Sequence, residues 1–259
     1  MRKEEYYMKK TFKNAVFLLA VIISVSAVFG GCDLSRKLQG IEFKFQSKIE
    51  NAAQLSFDMH LTISSESGSN DIDISCYKKG EEYAYTFVNR DNANLKHRHL
   101  FADNCLYEFV TNTTMHVGSY YTYENVPYTK DENLLYAVTQ NIMLATYATL
   151  FTTGKKDRVG DAEAYRYDFE HKGNQYSLWY DDVNLIKVSA TFNYADNNGE
   201  ATSETYTAVF GNYLFENVPD APFLRPSDAD DAIYIESLIP FEDWMGIINK
   251  FDSRALNWL

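Results

Sequence analysis

Ser56-Phe57-Asp58-Met59-His60-Leu61-Thr62-Ile63 alternates polar and apolar residues without a miss. Successive side chains of a strand point to opposite faces, so this stretch reads as a half-buried β-strand. The period carries on outward. Ile72, Ile74 and Cys76 alternate with Asp71, Asp73 and Ser75. Lys78-Lys79-Gly80 reads as a tight hairpin, and Tyr83, Tyr85 and Phe87 then follow on one face. Lys96–Phe101, Cys105–Val110 and Thr114–Ser119 are further strands, turned at Asp103-Asn104 and Asn112-Thr113. Together they predict an antiparallel meander of about six strands. Upstream, Ile41–Gln54 has helical spacing, with Phe45, Ile49 and Ala52 on one side.

Beyond the meander the period changes. Thr129 and Glu132 have capping-box spacing ahead of Leu134, Leu135, Val138, Ile142, Tyr147, Leu150 and Phe151 at helical spacing. Gly154 is placed to end that helix. A second run of strands begins near Ala162. Tyr165, Tyr167 and Phe169 lie on its first strand, Tyr176, Leu178 and Tyr180 on the next, and Ile186, Val188, Ala190 and Phe192 on a third. Turns fall at Lys172-Gly173-Asn174 and Asp181–Asn184. Asn198-Gly199 is a strong hairpin signal, with Thr202–Asn212 as the return strand. Ser227–Asp231 is an acidic linker. Pro240 suits a first helical position before the apolar stripe Phe241, Trp244, Met245, Ile248 and Phe251.

The N-terminus is an address. Lys9, Lys10 and Lys13 precede the apolar run Ala15–Phe29, and Gly30-Gly31-Cys32 follows. This is the layout of a secretory signal, and the run is shorter than the about 20 apolar residues of a membrane-spanning helix. The small residues before Cys32 resemble a bacterial lipobox, with Phe29 where Leu or Val is usual. The resemblance implies cleavage before Cys32 and its diacylation, which gives stable attachment to a membrane. Residues 1–31 are then a lipoprotein signal peptide and 32–40 a lipidated tether, and the body sits on the extracytoplasmic face of a bacterial membrane.

Composition narrows the classes. The 259 residues carry 24 Lys+Arg against 36 Asp+Glu, a net charge of −12. A leader of net +3 (five basic residues against Glu4 and Glu5) leaves the rest at −15. Such a body is repelled by an anionic bilayer, so it is held by its lipid rather than its surface. It lacks the basic face that nucleic acid requires. With 46% hydrophobic and 15% aromatic residues it is not a disordered chain. Cys76 and Cys105 fall on the second and fifth strands of the meander. Three strand spacings are about 14 Å, beyond the about 7 Å that a disulfide spans, so two free thiols are expected.

Gly160-Asp161-Ala162-Glu163-Ala164-Tyr165-Arg166-Tyr167, Tyr176-Ser177-Leu178-Trp179-Tyr180-Asp181 and Phe223-Leu224-Arg225-Pro226 resemble short motifs of the LolA-like family. The order of helix, meander, helix and strands fits that family too. At Leu185-Ile186-Lys187 the family's usual Pro is absent. The resemblance implies a mainly β (α+β) fold over 41–226, a half-open antiparallel β-barrel closed by helices. Residues 227–259 would add an acidic linker and a C-terminal amphipathic helix. It also implies a hydrophobic cavity between sheet and helices, a lipid or lipoprotein ligand, no cofactor and no catalytic residues. A cell-envelope sensor or protein-interaction module with a filled core is the alternative.

The chain has no HExxH, CxxC, G-x-S-x-G or P-loop motif, so it is read as no enzyme. His97 and His99 share a strand face, but lack a third metal ligand nearby and are expected on a solvent-facing strand. Asp181-Asp182 and Asp196–Glu200 read as turns rather than calcium loops. Phe57, Met59, Leu61, Tyr83, Tyr85, Phe87, Tyr165, Tyr167, Phe169, Tyr176, Leu178 and Tyr180 are the candidate ligand-binding residues. Their period fits either ordinary core or the lining of a lipid cavity.

Overall fold

The computed structural model describes residues 40–66, 68–125, 149, 152–171, 173–195, 201–239 and 241. The leader with Cys32, the helical pattern over 129–151 apart from Thr149, the Asn198-Gly199 tip and the stripe beyond Phe241 lie outside them. A helix, α1 (Ile41–Glu50), precedes six strands: β1 (Gln54–Ser65), β2 (Gly68–Lys79), β3 (Glu82–Asn89), β4 (Leu95–Ala102), β5 (Cys105–Asn112) and β6 (Val117–Tyr123). Six more follow: β7 (Lys155–Val159), β8 (Ala162–His171), β9 (Asn174–Tyr180), β10 (Leu185–Ala195), β11 (Ala201–Leu214) and β12 (Ile233–Glu236).

All twelve strands form one sheet in the order β12-β6-β5-β4-β3-β2-β1-β11-β10-β9-β8-β7. The two meanders are joined where β1 pairs antiparallel with β11, Met59 opposite Phe210 and Leu61 opposite Ala208. On its other side β1 sets Phe57, Met59 and Leu61 against Cys76, Ile74 and Ile72. A slip of one residue would drive Asp58, His60 and Thr62 into the core, so the alternation itself pins the register.

One face of the sheet carries α1. Phe45 and Ile49 of the helix are buried against it. The Phe45 ring meets Tyr180 edge-on at 6.5 Å and Tyr213 at 5.2 Å. The opposite face has a smaller core of Ala84, Leu100, Ala102, Phe109, Val218 and Phe223. There the chain after β11 doubles back: Val218 N donates to Gln54 Oε1 at 3.1 Å, and Arg225 bridges Glu82 and Asp103. The second face of β3 to β5 is therefore covered by this returning chain.

The sheet is open and curled, mostly β, and closure by helices is not evident among the described residues. The meander's last strand begins at Val117 rather than Thr114. Asn112 Oδ1 accepts from Thr114 N and Met115 N, and His116 takes φ 53°, so those residues are spent on the turn. β7 adds an edge before Ala162, and β12 pairs parallel to β6 within the stretch expected as linker and helix. Asp181 turns the chain by accepting from Val183 N and Asn184 N, both at 2.6 Å. Cys76 and Cys105 are free thiols, as expected from their strands. Alternation also sends them to opposite faces, Cys76 into the α1 side core and Cys105 onto the side of Tyr107 and Phe109.

Phe45→Ala leaves a hole where α1 meets the sheet and is expected to cost about 3–5 kcal/mol in urea unfolding. Tyr165→Ala, at a residue 40% exposed, is expected to stay within about 0.5 kcal/mol. Equal effects from the two changes would contradict this seating of the helix.

Candidate functional site

The twelve aromatic and aliphatic residues singled out by period all face the α1 side of the sheet. Phe57, Met59, Leu61, Tyr85, Phe87, Tyr176, Leu178 and Tyr180 are buried there. Tyr83, Tyr167 and Phe169 are partly buried against the same core. Tyr165 departs from the group, because it lies beside the edge strand opposite Lys156 and is exposed. The tyrosine hydroxyls that enter this face find partners. Tyr167 donates to Glu42 of α1, and Tyr213 donates to Leu185 O at 2.8 Å. Burial, with the Glu42 hydrogen bond second, pushes the Tyr167 phenol well above its usual range.

The apolar face continues across β3 into a polar island. Register sets Tyr85 opposite His99 and Phe87 opposite His97, then His99 opposite Glu108 and Glu108 opposite Tyr121. His99 Nε2 lies 3.9 Å from Glu108 Oε1, and Tyr123 donates to Glu108 Oε2 at 3.1 Å. The strand expected to face solvent is thus buried: His99 is 4% exposed and Arg98, on the other face, also 4%. Aromatic neighbours surround both faces. Tyr85 and Phe87 flank the histidines, while Phe109 stacks under the Arg98 guanidinium at 3.9 Å. Burial lowers both His97 and His99 to about 4, and His97 adds to the effect on His99. Both imidazoles are neutral at neutral pH and serve as hydrogen-bonding groups set in an apolar face. Among the described residues no three His, Cys, Asp or Glu side chains are placed to hold a metal ion. Glu108, Tyr121 and Tyr123 escaped the sequence reading, because a strand covered on both faces loses its clean alternation.

A cavity of about 640 Å³ opens at the turn from β4 to β5 beside the start of β3, lined by Glu81, Glu82, Tyr83, Phe101, Ala102, Asp103, Asn104 and Cys105. Phe101 in its wall meets Tyr85 edge-on at 6.3 Å, so the cavity abuts the main core. Arg225 holds the rim, with Nη2 2.6 Å from Glu82 and 2.7 Å from Asp103. Those carboxylates, Glu82 foremost, keep its guanidinium firmly protonated.

The uncovered face of β1 and β2 is polar. His60 Nδ1 lies 2.8 Å from Asp73, and Thr62 Oγ1 lies 3.5 Å from His60 Nε2. The order of Thr, His and Asp is that of an activated nucleophile, but the protons are placed otherwise. Thr62 donates to Asp71 at 2.6 Å rather than to His60. Asp73 is occupied by Arg90, whose hydrogen bond holds that carboxyl below its usual range. No step of catalysis follows from this arrangement.

No family profile matches the chain. No curated protein matches it in sequence. Among solved structures it is similar to the lipoprotein LppX of Mycobacterium tuberculosis, at 8% identity and TM-score 0.36 over 73% of this chain and 98% of that one. It is also similar to a DUF1329 family protein from Desulfovibrio piger, at 9% identity and TM-score 0.31 over 75% and 98%. A third is the MucA/MucB complex structure of Pseudomonas aeruginosa, at 10% identity and TM-score 0.34 over 70% of this chain and 58% of that one. With TM-scores this low, the functional reading rests on this chain's own residues.

The buried histidines make stability depend on pH. In the folded chain they titrate near 4, against about 6.5 unfolded. Below about pH 6.5 the unfolded chain takes up protons that the folded chain excludes, so stability falls as pH drops toward 4. The lowered carboxyls of Asp73, Asp157 and Asp168 act only below that window. The urea midpoint is expected to be lower at pH 5 than at pH 7.5, and the gap to shrink in His99→Gln. An unchanged gap in that variant would contradict the assignment.

Proposed function

We propose that this chain is a noncatalytic lipoprotein, anchored through an acylated Cys32 on the extracytoplasmic side of a bacterial membrane, that binds a lipid or other hydrophobic molecule between its sheet and helices. The observation that carries the reading is the cavity beside Tyr83 and Phe101. Its volume lies within the about 300–1,000 Å³ of small-molecule sites. Its wall leads into the aromatic face of Tyr85, Phe87 and Phe101, and Glu81, Glu82, Asp103 and Asn104 supply the polar groups of its lining. α1, ten residues long, spans about 15 Å. Twelve strands span about 50 Å, so most of the α1 side lies beyond that helix.

A second reading has its own support. Eight of the twelve candidate lining residues are fully packed, which suits a filled core and an envelope sensor that works through a protein partner.

One experiment separates the two. The full chain, made in a bacterial host and extracted gently, is analysed by denaturing and native mass spectrometry. A covalent diacyl mass on an N-terminal Cys32 is expected, together with a stoichiometric non-covalent lipid that the chain from Asp33 onward also retains. A folded chain that carries no ligand in either form would overturn the carrier reading, and an unmodified Cys32 would overturn the anchor.

A further inference from the structure

The two edges of the sheet are built differently. β7 presents the exposed Lys155, Lys156 and Arg158, the charged guard that keeps sheet edges from pairing with other chains. β12 lacks the basic guard and carries a single charge, Glu236. Ile233 and Ile235 are 73% and 70% exposed, Leu238 and Ile239 follow at 96% and 71%, and Met115 and Val117 adjoin at 64% and 43%. Six of the ten exposed large hydrophobics among the described residues therefore crowd one edge.

The edge is nevertheless a well-made strand. Tyr234 pairs with Gly118, and the fit requires a glycine there, because a Cβ would lie 2.6 Å from the tyrosine ring. The Tyr234 ring meets Phe109 edge-on at 5.2 Å, and its hydroxyl is 2.8 Å from Thr111 Oγ1. Ile233 N donates to His116 O and Ser237 N to Tyr120 O. The backbone groups of 233, 235 and 237 thus face β6, and those of Tyr234 and Glu236, by alternation, point outward.

We infer that the outer edge of β12 is a docking site for an extended segment of a partner protein that adds a thirteenth strand, with apolar side chains on one face and basic ones on the other. Among the described residues no strand pairs with that outer edge, and its outward N–H and C=O groups select an extended backbone. Ile233 and Ile235 share a face with Val117, so they meet the partner's apolar side chains. On the other face stands the exposed Glu236, in a chain of net charge −12, which selects Lys or Arg. The same acidic flank opposes an anionic bilayer. The proposal is independent of the ligand cavity, which lies at the far ends of β3 to β5.

The probe is a capped, fluorescent decapeptide of alternating Lys and Val, titrated against the full chain in detergent and followed by anisotropy. Saturable binding is expected. Glu236→Pro removes an outward N–H and a charge while leaving the bonds to β6, and it is expected to weaken binding at least tenfold. N-methylation of alternate peptide bonds, or Glu in place of Lys, is expected to weaken it as much. Absence of saturable binding, or equal binding by the N-methylated peptide, would overturn the proposal. So would binding only to phosphatidylglycerol vesicles, or a dimer of the chain that Glu236→Pro abolishes.

Discussion

The pairing of β1 with β11 is the constraint on which the rest of the structure depends. These strands are far apart in the chain and each closes its own meander, yet nine residue pairs join them. The pairing turns two marginal sheets into one and brings Phe57 against Phe210 and Tyr213. It also makes the platform on which α1 sits, since Phe45 touches Tyr213 of β11 and Tyr180 of β9 together. Burying an aliphatic side chain such as Leu61 or Met59 is worth about 1.5–3 kcal/mol. Such residues, repeated along the seam, hold the register. The contacts are long-range, so the sheet forms only after both meanders have been made.

From this platform follows an asymmetry of faces. The α1 side is apolar over β3, β2, β1, β11, β10 and β9 and turns polar at His97, His99 and Glu108. The other side is polar over β1, β2 and β8 to β11, where Thr191 bonds Thr205 and Arg166 bridges Asp157 and Asp168, and becomes apolar only under residues 215–236. Arg98 and Leu100 of β4 lie under the returning chain, and His99 between them is buried on the other face beside Phe87. Arg98 accepts this place through the Phe109 ring and a bond of 3.2 Å to Ala221 O. The histidines accept it by staying neutral.

Much of the fold was legible in the sequence. Wherever one face is apolar and the other wet, as in Ser56–Ile63 or Tyr176–Tyr180, period two named both strand and inward side chains correctly. Turns were legible where a side chain or a positive φ makes them, as at Gly80, Asp181 and Gly173. What was hidden is where those rules have no purchase. β4 reads as basic and solvated because its cover comes from residues more than 100 positions away. β12 is four residues long and its partner is distant, so the strand-forming Ile233, Tyr234 and Ile235 make too short a run to mark it. The candidate site shows the same limit. The aromatic face was visible, but Glu108 and Tyr123 join it only through pairings that a local pattern does not contain.

The most direct test of the single sheet is a cross-link across its seam. Thr62 and Thr207 are register partners on β1 and β11. With Cys105→Ser and the chain started at Asp33, Thr62→Cys and Thr207→Cys are expected to form a disulfide in the folded protein under mild oxidation, with one cooperative unfolding transition. Failure to cross-link in the folded state, with two independent transitions for the two meanders, would contradict the account.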